Sequence, residues 1–460
     1  MSEAVNRCRA LAEFIAGLKY ADIPAEVIEK EKGHLLDGLG NGLYGAVSPM
    51  GEMVVRYLQR FPTPGESVVW GTPYKVNCMQ AAFANGSFAN VAELEDAHHR
   101  TKFKPNTVLV QAAVAAAERL GAGGRALLTA LVAANEACIR IAEATHVGKE
   151  GYARGWISTS SIGTFGAAAV TAKMLGLTAE QTAEALSLAG SQPSGIWSGG
   201  LSMSKRVLIG RAAENGIAAA FMAAEGITGG DLIFDGSWGN IGHIISDVYE
   251  PELITRDLGK HWKTLEIGLK CYPTKGGAHS AIDALLDILR REPVNPEDVE
   301  GILVRTTTGV AGNKALHHFP PTNYFEAQNS VPFILAVTVF DRACGLDQFS
   351  EEKYRDPKIL ELGRKVRMVP EPEADRMPPT AKTAFVDVTL KDGRVLTSRV
   401  DYCSGEPQNP LSKERLEEKF RNVARFALDE PAMAAVIKAV DGLDKLADVR
   451  ELTKLLQVAG

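Results

Sequence analysis

Apolar residues recur at three- and four-residue spacing along most of the first 250 positions. This period predicts amphipathic helices over 2–19 and 26–45. Segments 108–120 and 124–145 are rich in alanine and nearly apolar all round, which predicts helices buried within a multi-helix core. Segment 161–175 is of the same type. TAEQTAEALSLAG predicts a helix with Thr178 as its N-cap, ending at Gly190. In GWISTSSIG (155–163) the hydroxyls are read as caps of a helix N-terminus, because no base accompanies them. The pattern changes near residue 265. VEGILVRTTT (299–308) is β-branched and alternating. AKTAFVDVTLKDGRVLTSRVDY (381–402) reads as a strand pair, its Asp-Gly centre supplying the positive φ angles of a tight turn. Helices are expected between these strands, over 278–291, 329–345 and 350–366, and after them over 412–427, 430–441 and 446–457. The fold class expected is mainly α with an inserted α+β domain. Residues 1–267 and 398–460 would form an all-helical domain, and 268–397 a smaller α+β lid domain.

Composition narrows the function classes. With 460 residues, two domains are the prior. A net charge of −6 argues against a nucleic-acid partner, although it leaves room for a local basic pocket. No apolar run reaches the roughly 20 residues needed to cross a bilayer, so no membrane partner is expected. Six cysteines are scattered without a CxxC pair, which fits neither a zinc framework nor a disulfide scaffold. A cytoplasmic location is expected.

Candidate chemistry concentrates in three stretches. VAELEDAHHRTKFKP (91–105) carries Glu93, Glu95, Asp96, His98 and His99, then Lys102 and Lys104. Adjacent histidines lack the spacing of a zinc motif, so no metal is expected. LSMSKRVLIGRAA places Lys205, Arg206 and Arg211 at the start of an apolar helix. LKCYPTKGGAHSAIDA places Lys270 before an aromatic-proline turn and His279 in the first turn of the next helix. Each lysine alone reads more simply as a snorkelling surface residue. Together they suggest a cationic pocket for a small anionic substrate with several carboxylates, in which a desolvated lysine serves as acid or base. Dinucleotide, P-loop and GxSxG signatures are absent.

These segments resemble the MmgE/PrpD family, whose activities include methylcitrate dehydration, cis-aconitate decarboxylation and iminodisuccinate epimerisation. LAEFIAGLKYADIPAEVIEKEKGHLLDGLGNGLYGA resembles its opening helices. ANGSFANVAELEDAHH, MSKRVLIGRAAENG, KCYPTKGGAHSAIDA and SGEPQNPLSKERLEEKF resemble four further motifs, in order. The resemblance implies a helical domain built from both chain ends, an α+β lid, an active site at their interface, a homodimer and no cofactor. It places Lys205, Lys270 and His279 at active-site positions of the family's lyases. Glu93 falls where those lyases have Asp. Ala97, Lys104, Ile157 and Phe333 fall where they have Thr, His, His and Tyr. Lost proton-transfer groups beside retained cations favour a cofactor-independent epimerase or racemase. In that reading Lys104 and Tyr152 are bases on opposite faces of a C–H next to a carboxylate. Lys270, His279 and Glu93 complete the expected catalytic set. Lys205, Arg206, Arg211, Asp96 and His98 form the expected substrate-binding set. The alternatives are a dehydratase or decarboxylase on a citrate- or aconitate-like substrate, and a non-catalytic carboxylate-binding member.

Overall fold

The structure is a computed structural model that describes residues 6–458 apart from 200, 201, 231, 237 and 379. The chain divides into two compact units. Met1–Gly268 and Lys413–Gly460 form the first, and Leu269–Ser412 the second.

The first unit is helical. Its core helices are Ala25–Ala46, Cys78–Ala89, Asn106–Leu120, Gly124–Ala144, Ser158–Leu175 and Ser204–Ala224. The alanine-rich members are almost wholly buried, in keeping with their all-round apolar character. Close packing depends on small residues. A Cβ at Gly42 would lie 2.5 Å from the Trp70 ring, and one at Gly45 would lie 2.1 Å from the Phe88 carbonyl oxygen. Glycine inside a helix costs about 1 kcal/mol against alanine, and here it permits ring and backbone to touch the helix axis. The final helices close this unit: Lys413–Ala424 packs on Ala25–Ala46, against which Glu430–Asp441 also lies.

The second unit holds a four-stranded sheet in the order Val366–Pro370, Val299–Thr306, Ala384–Leu390, Val395–Val400. The first two strands are parallel and the remaining pairs antiparallel. Helix His279–Arg291 packs on the Ala384–Val400 hairpin, while Val331–Asp341 meets the edge strand Val366–Pro370.

Several expectations need correction. The α+β unit runs past 397 to Ser412, because the turn after the last strand returns to its own core: Leu269 N–H donates to Gly405 O (2.8 Å) and Ser404 N–H to Asp283 (2.6 Å). The helix expected over 350–366 is two short helices, Glu351–Tyr354 and Pro357–Gly363. Pro357 lacks the N–H that a continuous helix needs, and Asp356 caps a new start instead. The helix expected over 446–457 shrinks to Arg450–Thr453 followed by a 3-10 turn. The first helix is Arg7–Gly17, capped by Asn6, and residues 2–5 of the expected span lie outside the described residues. Ser158–Leu175 receives no hydroxyl cap: Ser160 and Ser161 donate back to the Ile157 carbonyl instead. In the hairpin only Gly393 has positive φ (88°). Its N–H donates to Leu390 O, giving a three-residue loop closed by a left-handed glycine rather than the two-residue turn.

Candidate active site

The acid-rich stretch 91–105 is not helical. It leaves helix Cys78–Ala89 as an irregular loop with one two-residue strand, Asp96–Ala97. Glu93 sits at φ 55°, the left-handed region that a residue with a Cβ seldom occupies. Strain of about 1–3 kcal/mol at such a position persists only where the surroundings impose it, and it concentrates at functional sites. Here it turns the Glu93 carboxylate between two lysines. Lys205 Nζ donates to Glu93 Oε1 at 2.6 Å, and Lys104 Nζ lies 3.9 Å from Glu93 Oε2. Lys104 also donates to the buried Glu95. Glu93, Glu95, Lys104 and Lys205 thus form one half-buried, charge-balanced cluster. Lys205 reaches it from the first turn of helix Ser204–Ala224, where Arg206 is buried.

The remaining residues of this loop hold it in place. Asp96 is buried and accepts from Asn106 N–H (2.9 Å), the Asn106 side chain (3.1 Å) and Thr107 (3.2 Å). Its carboxylate therefore caps the helix Asn106–Leu120. Burial, only partly offset by those hydrogen bonds, pushes its pKa up to about 7. Lys419, from the C-terminal helix Lys413–Ala424, pairs with Asp37 and donates to Leu94 O at 2.9 Å. Behind them Asn135 bridges Glu31 and Asn106. Burial holds Glu31 well above the usual carboxylate range and His34 well below the usual imidazole range, and the two side chains lie 3.2 Å apart.

Three of the expected substrate-binding residues are engaged by other side chains of the first unit. Asp96 points into the core as a helix cap. His98 is buried, with Thr101 on one ring nitrogen (2.8 Å) and Glu266 on the other (3.0 Å). Arg211 lies over the Phe83 ring and pairs with Glu214 and the Tyr57 hydroxyl. Tyr152 is 39% exposed, and its ring meets Trp197 and the Lys102 ammonium (4.6 Å). Burial holds Lys102 below the ordinary lysine range. Lys102 is a candidate passed over in the sequence, two positions from Lys104. His98, Glu143 and Glu266 place ligand-type atoms within 4.8 Å of one another. The Lys263 ammonium already joins those two carboxylates, at 3.0 Å from each. Despite burial, hydrogen bonds from His98, His261 and Lys263 hold Glu266 well below the usual carboxylate range.

The second unit carries its own ionisable group. Lys270 and His279 are both buried. His279 is the first residue of its helix, and its ring stands edge-on to Tyr272 at 5.4 Å. The Tyr272 hydroxyl donates to Asp283, which also accepts from Ser404. Lys382 joins this group and was missed by sequence reading. Burial lowers its pKa, Glu406 and Cys403 raise it, and Lys270 lowers it further. Its ammonium is 3.9 Å from Glu406 Oε1. The SGEPQNP turn makes this arrangement possible: a Cβ on Gly405 would fall 1.9 Å from Leu269 O, and Gly405 has φ 92°. Phe333 is fully buried against Phe349, and Ile157 is buried in the first unit.

Residues 9–252 match the MmgE/PrpD N-terminal domain, and residues 272–445 the MmgE/PrpD C-terminal domain. The chain belongs to the MmgE/PrpD family. It is 29% identical over 470 residues to a cis-aconitate decarboxylase of Aspergillus terreus, covering 97% of this chain and 95% of that protein. It is 30% identical over 472 residues to the cis-aconitate decarboxylase-like protein oryM of Aspergillus oryzae, covering 98% and 97%. The human cis-aconitate decarboxylase is 28% identical over 465 residues, covering 97% and 94%. These relatives are enzymes, and by name they are lyases. They favour the lyase alternative, and the epimerase expectation draws no support from them.

Proposed function

We propose that this protein is a cofactor-independent lyase that removes CO2 or water from a small unsaturated or hydroxylated polycarboxylate of the cis-aconitate type. The observation that carries the reading is Glu93, held in a left-handed conformation between Lys104 and Lys205, in a chain matched end to end by cis-aconitate decarboxylases. Decarboxylation breaks a C–C bond and leaves its electron pair on the carbon skeleton. The reaction then needs cations to neutralise the remaining carboxylates, and one proton donor for the carbanion. Preorganised charge of this kind is usually the largest catalytic term. Lys205 and Arg206 supply positive charge. Lys104 replaces the histidine of the family pattern as proton donor, with the Glu93 and Glu95 carboxylates beside its ammonium.

The test is incubation of the purified protein with cis-aconitate and related di- and tricarboxylates, followed by proton NMR and CO2 detection. Turnover to an unsaturated product is expected. Lys205→Met and Lys104→Met should each lower kcat/KM by about 10²–10⁴-fold. Deuterium incorporation from solvent without loss of CO2 or water would overturn the lyase reading and restore the epimerase.

A further inference from the structure

The second unit contains a cavity of about 420 Å³ whose lining includes neither Lys270 nor His279. Its size lies within the usual 300–1,000 Å³ of small-molecule sites. Leu316, Phe319, Val331, Pro332, Val366 and Met368 make its apolar walls. Gly363 shapes it, since a Cβ there would press within 2.6 Å of the Phe319 ring. Its polar lining is entirely cationic or imidazole: Arg364, Arg367 and His317, with no acidic side chain among the described residues.

Both arginines are exposed at the rim of the cavity. Among the described residues Arg364 has no ion-pair or hydrogen-bond partner for its guanidinium. Arg367 donates only to the backbone carbonyls of Arg364 (2.8 Å) and Val366 (3.1 Å). Arg305 of this unit is matched to Glu371 and Asp387, and Arg399 to Asp401, whereas Arg342 donates only to the backbone carbonyls of Leu289 and Val294. His317 spends one ring nitrogen on Ala311 O (2.6 Å) and keeps the other. At about 30 Å³ per water, the cavity holds on the order of a dozen waters, most of them against walls that cannot bond them. An apolar body would displace these waters, and an anionic head would meet two planar guanidinium forks suited to bidentate carboxylate or phosphate contact.

We propose that this cavity is a binding site for a small amphipathic anion, a carboxylate or phosphate carried on an apolar body. It is separate from the lyase chemistry proposed above and does not rest on it. The cavity wall does touch the chain leading to His279: Leu316 packs against Gly277, and Gln328 O, shortly before Val331, accepts from Lys275 N–H at 3.2 Å. Occupancy therefore bears on the backbone that carries His279.

Calorimetric titration of the full chain with octanoate, octyl phosphate and uncharged octanol tests the site, the first two separating the carboxylate from the phosphate source. One equivalent of at least one anion should bind saturably, and octanol at least about tenfold more weakly. Arg364→Ala with Arg367→Ala should weaken the anion about tenfold or more, the loss of two charge-assisted contacts. Met368→Trp, which fills the cavity, should weaken it with both arginines intact. Lys205→Met should bind the probe as wild type does. Unchanged affinity in the double arginine variant, equal affinity for octanol, or loss of binding in Lys205→Met would each overturn the proposal, as would the absence of saturable binding by either anion.

Discussion

Glu93 joins a backbone angle of φ 55° to a carboxylate shared by two lysines. Glutamine there keeps the shape and removes the charge. Glu93→Gln is expected to lower kcat/KM by about 10²-fold or more while the melting temperature moves by only a few degrees. Wild-type turnover in that variant would make Glu93 a scaffold residue. Asp96 yields a pH prediction. Its pKa rises from 3.8 in the unfolded chain to about 7 in the fold. Between those values the folded state binds more protons than the unfolded one, so stability falls as pH rises through that window. Asp96→Asn removes this titration, and its melting temperature should exceed that of the wild type by more at pH 8 than at pH 5. Of this site, the motif segments made Glu93, Lys104 and Lys205 legible. The inward roles of Asp96 and His98 were not, because charge in a sequence does not say which way a side chain faces. Lys382 was invisible because it lies 112 positions from Lys270, in a strand approach with no motif of its own.

Helices and strands were readable where periodicity ran long, as in Ala25–Ala46 and the Ala384–Val400 hairpin. They were misread where a single residue decides, as at Pro357, where a continuous apolar pattern outweighed a missing N–H. The SGEPQNP turn is an element of this decisive kind. Gly405 combines φ 92° with a carbonyl 1.9 Å from where a Cβ would stand. Gly405→Ala should destabilise the fold by about 2 kcal/mol or more, and should move the backbone behind Lys270. Thermal melting reads the first effect and KM the second. A variant with wild-type melting and kinetics would show the turn to be adaptable.

At the scale of the molecule, the first unit is discontinuous in sequence: the chain leaves it at Gly268 and returns at Lys413. The returning helix brings Lys419 to Asp37 and Leu94 and closes over Ala25–Ala46, with Phe420 within 3.1 Å of a Cβ built on Gly40. Removing residues 413–460 should therefore unfold the first unit, seen as loss of soluble yield and helical circular dichroism. Lys419→Met, a milder change, should cost a few kcal/mol by stranding the buried Asp37. A soluble, fully helical truncation would contradict this assignment.

That discontinuity also governs how the protein is made. On the ribosome, the helix Ala25–Ala46 emerges long before the partner that covers it. At about 5–20 residues per second, the intervening unit alone takes on the order of 10–30 s to synthesise. During that interval the nascent first unit presents an uncovered glycine-lined face and an Asp37 with no Lys419. The second unit, continuous and complete in itself, can be finished first. Newly made chains are thus most exposed to aggregation and chaperone capture just before residues 413–460 arrive, and slow codons in that segment would lengthen the exposure.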